Sequence, residues 1–147
     1  MKSKTLTIWT IVLNFFIPIA AGHGIAFLGL IEIFWIPNFY DIATEDFSFS
    51  PASGYDKTLG FVAILSLTGQ LVLIVSFFTK SHLKVWFHFF GLSLLWMAFF
   101  YLAFNIFEDS ASQFSFITGL PFFIVSLILA IKIIRNQHIK TNIKTSG

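Results

Sequence analysis

Four stretches of this chain are each apolar enough, for long enough, to cross a lipid bilayer, and nothing else in the sequence restricts its fold as strongly. A spanning helix needs about 20 consecutive, mostly apolar residues. The stretches run from about Leu6 to Ile36, Thr58 to Thr79, Val85 to Phe107 and Phe116 to Ile134. They lack the alternating polar pattern of a membrane β-barrel, so they predict α-helices, whose backbone polar groups are satisfied within each segment. The expected fold is all-α: an integral membrane four-helix bundle forming one transmembrane domain over residues 1–147. Charged residues make up 11% of the chain, against roughly 25% in a soluble domain. A soluble fold of this length has no interior large enough for the rest, so lipid is the expected solvent.

Charge placement predicts the orientation. Lys2 and Lys4 precede the first stretch, Lys80 and Lys84 separate the second from the third, and Lys132, Arg135, Lys140 and Lys144 end or follow the fourth. The other two connections carry Asp41, Glu45, Asp46 and Asp56, then Glu108 and Asp109, with Lys57 as their one base. An excess of Lys and Arg marks the cytoplasmic side, so both termini are expected in the cytoplasm, which requires an even number of crossings. A secretory leader is the competing reading of the N-terminus, with Lys2 and Lys4 before the apolar run and Ala20-Ala21 as a weak cleavage site. The run continues to Ile36 without a break, which favours a retained helix. The net charge of +2 follows from these flanking lysines and does not imply nucleic acid. The preference for Lys over Arg and the abundance of Ile and Phe suit an AT-rich bacterial genome, so the bacterial inner (cytoplasmic) membrane is the expected location. The bilayer is the expected partner, with a membrane protein or a second copy as further possibilities. The loop from Pro37 to Lys57 holds Phe39, Tyr40, Phe47, Phe49 and Tyr55, aromatics suited to the headgroup level.

Helices in lipid associate through small and polar residues rather than hydrophobicity. Gly22, Ala26 and Gly29 form one stripe on the first helix. Ala63, Ser66 and Gln70 form a face on the second. His88, Gly91, Leu95, Ala98, Leu102 and Asn105 form a seam at alternating spacings of three and four on the third, and Gly119, Ser126 and Ala130 a face on the fourth. Pro18 and Pro121 are expected to kink or loosen their helices.

Glu32 is the leading candidate for function. It is the one acid inside an apolar stretch, and an ionisable group there is functional by default: a proton relay, a cation ligand or a hold on a polar molecule. On a continuous helix it shares a face with Asn14, Pro18 and Ile25. Against this, the first stretch is long enough to leave Glu32 wet at the outer headgroup level. His23 stands near the middle of that helix between Gly22 and Gly24, which let a ligand or a backbone approach closely. A hydrogen bond to a neighbouring helix is the alternative, and Gln70 lies at a similar depth.

His88 lies about one turn from the cytoplasmic face. With His23 it suggests two axial haem ligands, but the two residues differ in depth by roughly 15 Å at 1.5 Å per residue, too far for one iron. Tyr101 and Asn105 fall at the expected depth of Glu32, so the three predict either a small external polar pocket or a set of wet interfacial groups. There is no cysteine, which removes thiolate metal sites, disulfides and thiol catalysis. Zinc-hydrolase histidine spacing, calcium-loop spacing, a phosphate-cradling glycine loop and a nucleophile elbow are all missing. No metal site and no catalytic residue is expected, and the cofactor is left open.

The segments Ile25-Ala26-Phe27-Leu28-Gly29-Leu30 and Gly69-Gln70-Leu71-Val72-Leu73-Ile74-Val75-Ser76-Phe77-Phe78-Thr79-Lys80 resemble the end of the first helix, and the second helix with its basic turn, of the DoxX-like family of small four-helix membrane proteins. Length, four spans and an internal N-terminus match as well. The resemblance implies a role beside respiratory or quinone-linked redox enzymes. Glu32 stands where the family often has a base, and Ser66 near where it often has an acid, so no functional residue is carried over. Three functions follow from the residues. The first is a non-catalytic accessory subunit or small-ligand-binding bundle. The second is a small transporter or proton-coupled permease using Glu32 and His23. The third is a quinone- or lipid-linked redox component. The chain reads more readily as a non-enzyme than as an enzyme.

Overall fold

A computed structural model describes residues 3–21, 24–35, 50, 55–79 and 81–145. These residues are mostly helical, with five helices and a two-stranded hairpin: α1 (Ser3–Phe15), β1 (Pro18–Ala21), β2 (Gly24–Phe27), α2 (Leu28–Trp35), α3 (Tyr55–Phe78), α4 (Ser81–Leu102) and α5 (Ser110–Thr145). Among the described residues, three segments are long and apolar enough to cross a membrane: Lys57–Phe78, Leu83–Leu102 and Ser110–Gln137, with mean hydropathies of 2.3, 1.6 and 2.4.

The expected continuous first helix, 6–36, is not formed. It is replaced by α1, the hairpin and α2. Pro18 has no N–H and cannot bond the Asn14 carbonyl as helix continuation requires. That carbonyl instead accepts from the Ile17 N–H at 3.2 Å. Glycines on both sides of residue 23 would each add about 1 kcal/mol to the cost of a helix here. The chain pairs with itself, Pro18 opposite Phe27 and Ala21 opposite Gly24, and the Leu28 N–H closes the ladder on the Ile17 carbonyl at 2.9 Å. Non-helical backbone in an apolar setting needs protein around it. Ile17 and Ile19 are fully buried, and the Thr118 hydroxyl of α5 lies 3.0 Å from the Pro18 carbonyl, sharing its one proton with the Phe114 carbonyl at 2.8 Å. Pro18 therefore breaks its helix, whereas Pro121 is carried within α5.

The other boundaries move for local reasons. The second expected span, 58–79, is α3 with a slightly earlier start. The third, 85–107, becomes Ser81–Leu102, because residues 103–108 wind into turns with i to i+3 bonds such as Ile106 N–H to Ala103 C=O at 3.2 Å. The fourth, 116–134, extends to Ser110–Thr145. Its start is set by Asp109, whose carboxylate accepts the backbone N–H groups of Ala111 and Ser112, both at 3.2 Å, as a helix cap. Apolarity marks what lipid can surround, not where the helical bonding ends.

α1 runs antiparallel to α5, with Ser3 beside Asn136 and Gln137, and Ile17 beside Gly119. Lys4, Lys84, Lys132 and Arg135 gather at one end of the molecule, and Lys57, Glu108 and Asp109 at the other. The predicted faces are buried: Ala63, Ser66 and Gln70 on α3, His88 through Leu102 of the seam on α4, and Gly119, Ser126 and Ala130 on α5. Between α4 and α5, Phe99 stacks on Phe116 and Phe123 at 5.6 and 5.3 Å, and Trp96 Nε1 donates to Ser126 Oγ at 2.8 Å. The opposite faces are apolar and bare, as Phe90 (59% exposed), Ile117 (65%) and Ile131 (57%) show. A water-soluble surface is not built this way.

Candidate functional site

The central polar cluster joins α1, α2 and α3. Glu32 sits on α2 with 2% of its surface exposed. Gln70 Nε2 reaches both of its carboxyl oxygens at 3.0 Å, and Ser66 adjoins the pair through Gln70. Ser66 Oγ also accepts from Gln70 Nε2 at 3.4 Å and from Asn14 Nδ2. Among the described residues the hydrogen-bond partner of Glu32 is a neutral amide, so its carboxyl group meets a dipole there rather than a charge. The local folding explains the meeting. Pro18 ends α1 one turn after Asn14, and the hairpin returns the chain so that α2 starts at the level of Ile17. One turn of α3 then presents Ser66 and Gln70 to both. Gly29 supports the approach, because a Cβ there would meet the Phe15 ring.

His88 organises a second cluster at the basic end. Its Nδ1 donates to the Lys84 carbonyl at 2.7 Å. Its Nε2 lies 3.3 Å from the Thr7 hydroxyl and 3.4 Å from the Ser76 hydroxyl. Those hydroxyls also bond the carbonyls of Ser3 and Leu73, at 3.1 and 2.5 Å. Three helices thus orient one imidazole. Beside it opens a cavity of about 420 Å³.

The candidate residues therefore separate. Glu32 and Gln70 come together, although Gln70 was matched by depth to His23, which lies outside the described residues. Tyr101 and Asn105 do not join Glu32. Tyr101 turns its ring to Phe61 on α3 at 5.0 Å, and Asn105 lies in the turn after α4, its carbonyl accepting from Glu108 and Asp109. His88 holds a separate site. Among the described residues no group of three or more His, Asp or Glu side chains could hold a metal. Sequence reasoning missed Thr7, Ser76 and Lys84 as companions of His88. Thr7 and Ser76 are polar residues in apolar runs, and that was the available signal.

Three long apolar helices, with a broken fourth apolar segment packed on them through buried polar groups, define the class of molecule as far as the fold carries it. No family model, no curated protein and no solved structure matches the chain.

Proposed function

We propose that the chain is a non-catalytic multi-pass membrane protein with a cytoplasmic basic end, and that its central cluster binds and releases a proton at Glu32. The observation that carries this is Glu32 itself, buried beside neutral partners among the described residues, in a chain whose outer faces are apolar. A charge kept away from water without a counter-ion is costly, and amide and hydroxyl dipoles offset that cost only in part. Taking up a proton removes the charge. The cluster suits both states. With the carboxylate, Gln70 donates. With the carboxylic acid, the new O–H donates to Ser66 Oγ, and the Ser66 hydroxyl turns to a carbonyl one turn back, as serine in helices commonly does. Four crossings are supported by the proximity of Ser3 to Asn136 and Gln137. The first crossing would combine α1, about 20 Å long at 1.5 Å per residue, with a hairpin adding about 13 Å.

The test is covalent capture by a hydrophobic carbodiimide, which reacts with protonated carboxyl groups in apolar surroundings. The full-length protein in detergent should gain one adduct, mapped to Glu32 by peptide mass spectrometry and absent in Glu32→Gln. Failure of Glu32 to react while Glu108 or Asp109 does would sink the proposal. Proteoliposomes carrying an internal pH dye then separate a proton-coupled permease, in which an imposed potential drives acidification that Glu32→Gln abolishes, from a protein that binds the proton without carrying it.

A further inference from the structure

We infer that the cavity at the basic end is a binding site for a phosphate group, separate from the Glu32 cluster. Its polar wall comes from Ser3 of α1, Thr79 after α3, Lys84 and His88 of α4, and Asn136 and Gln137 of α5. Val85 and Ile133 complete the lining. A volume of about 420 Å³ lies within the usual range of small-ligand sites, about 300–1,000 Å³. The lining carries an ammonium group, two amide side chains and the Ser3 hydroxyl, while the Thr79 hydroxyl already donates to the Val75 carbonyl at 2.8 Å, and it holds no carboxylate among the described residues. That donor set suits a compact oxyanion with several acceptor oxygens, and lysine binds phosphate as a point charge. A cation would meet Lys84 and be repelled.

The site is built rather than incidental. His88 is 2% exposed, and its Nδ1 holds the Lys84 carbonyl at 2.7 Å, which fixes the backbone that carries the ammonium group. Thr7 and Ser76 hold the other side of the ring from α1 and α3. His88 is thus a positioning residue, and Lys84 is the group that meets the anion. Lys84 lies at the start of the α4 segment Leu83–Leu102, long and apolar enough to enter a membrane, and Ile133 lies near the end of the matching α5 segment. The cavity therefore sits where an apolar surface gives way to a polar one. A phosphate there could belong to a lipid headgroup or to a soluble phosphomonoester.

The experiment is isothermal titration of the full-length protein in a neutral detergent, using glycerol 3-phosphate in one series and short-chain phosphatidylglycerol in another. Wild type should bind at least one of the two, and Lys84→Ala should weaken binding about tenfold or more, the typical worth of a hydrogen bond to a charged group. Asn136→Ala should weaken it less, and Lys84→Arg should retain most of it. Arg135→Ala removes an exposed charge at the same end, outside the cavity, and should change affinity less than about twofold if the site is specific. Binding of glycerol 3-phosphate identifies the free phosphomonoester as sufficient, and binding of the lipid alone identifies the headgroup. Equal losses in Lys84→Ala and Arg135→Ala would reduce the effect to surface charge and overturn the inference, as would no binding of either probe.

Discussion

At the scale of single residues, the fate of Glu32 depends on two side chains of α3. Removing one partner of a buried hydrogen bond leaves the other unsatisfied, whereas removing both can be close to neutral. Gln70→Leu strips Glu32 of the amide that reaches both its oxygens, and should destabilise the protein by about 1–3 kcal/mol. Glu32→Leu leaves Gln70 with Ser66 as a partner and should cost less. The double variant should be more stable than the sum of the two losses, and unfolding in mixed micelles measures the difference. Additive losses would show that the pair is not coupled. Glu32 was legible in the sequence as an acid in an apolar run. Its partner was not, because an unbroken helix carries Glu32 outward to the depth of Tyr101 and Asn105, whether buried there or wet at the headgroup level. The break at Pro18 places it beside Ser66 and Gln70.

At the scale of elements, α3 and α4 cross with their backbones in close approach at Gly69 and Gly91. A Cβ on Gly69 would lie 3.0 Å from the Gly91 carbonyl oxygen and 2.9 Å from Leu95, and a Cβ on Gly91 would lie 3.0 Å from the Gly69 carbonyl oxygen. A backbone atom cannot rotate aside, so the helices must separate to admit a methyl group. Gly69→Ala and Gly91→Ala should each cost about 1–3 kcal/mol by overpacking, read as a lower unfolding midpoint in detergent. Unchanged midpoints would mean that the helices are not held this closely. Gly91 was visible as part of a seam with a spacing of three and four. Gly69 lay next to the predicted face of α3 and was not assigned to it, since one residue is enough to rotate a position by 100° on a helix.

At the scale of the molecule, the two ends differ in charge, and the proposed orientation follows from that difference. The chain has no cysteine, so single introduced cysteines report position without background. In intact cells, a membrane-impermeant maleimide should label Ser110→Cys. It should label Ser3→Cys and Arg135→Cys only after permeabilisation. The reverse pattern would invert the orientation, and labelling of Ser3→Cys and Arg135→Cys from opposite sides would require an odd number of crossings.

The sequence alone determined which segments are apolar enough to enter lipid, which faces of the three long helices turn inward, and how charge divides between the two ends. These properties depend on residues near each other in the chain and on the helical repeat, and both can be read from order alone. Only the tertiary structure decided that the first apolar run is helix, hairpin and helix, that Glu32 meets Gln70, and that His88 braces Lys84 beside a cavity. In each case the deciding interaction links residues far apart in the chain: Pro18 with Thr118, Glu32 with Gln70, Thr7 with His88. A proline in an apolar run costs a helix one hydrogen bond, and whether the chain kinks or breaks depends on what stands beside it to satisfy the backbone it frees. Here the freed Asn14 carbonyl takes the Ile17 N–H, and α5 packs Thr118 against the carbonyl of Pro18 itself.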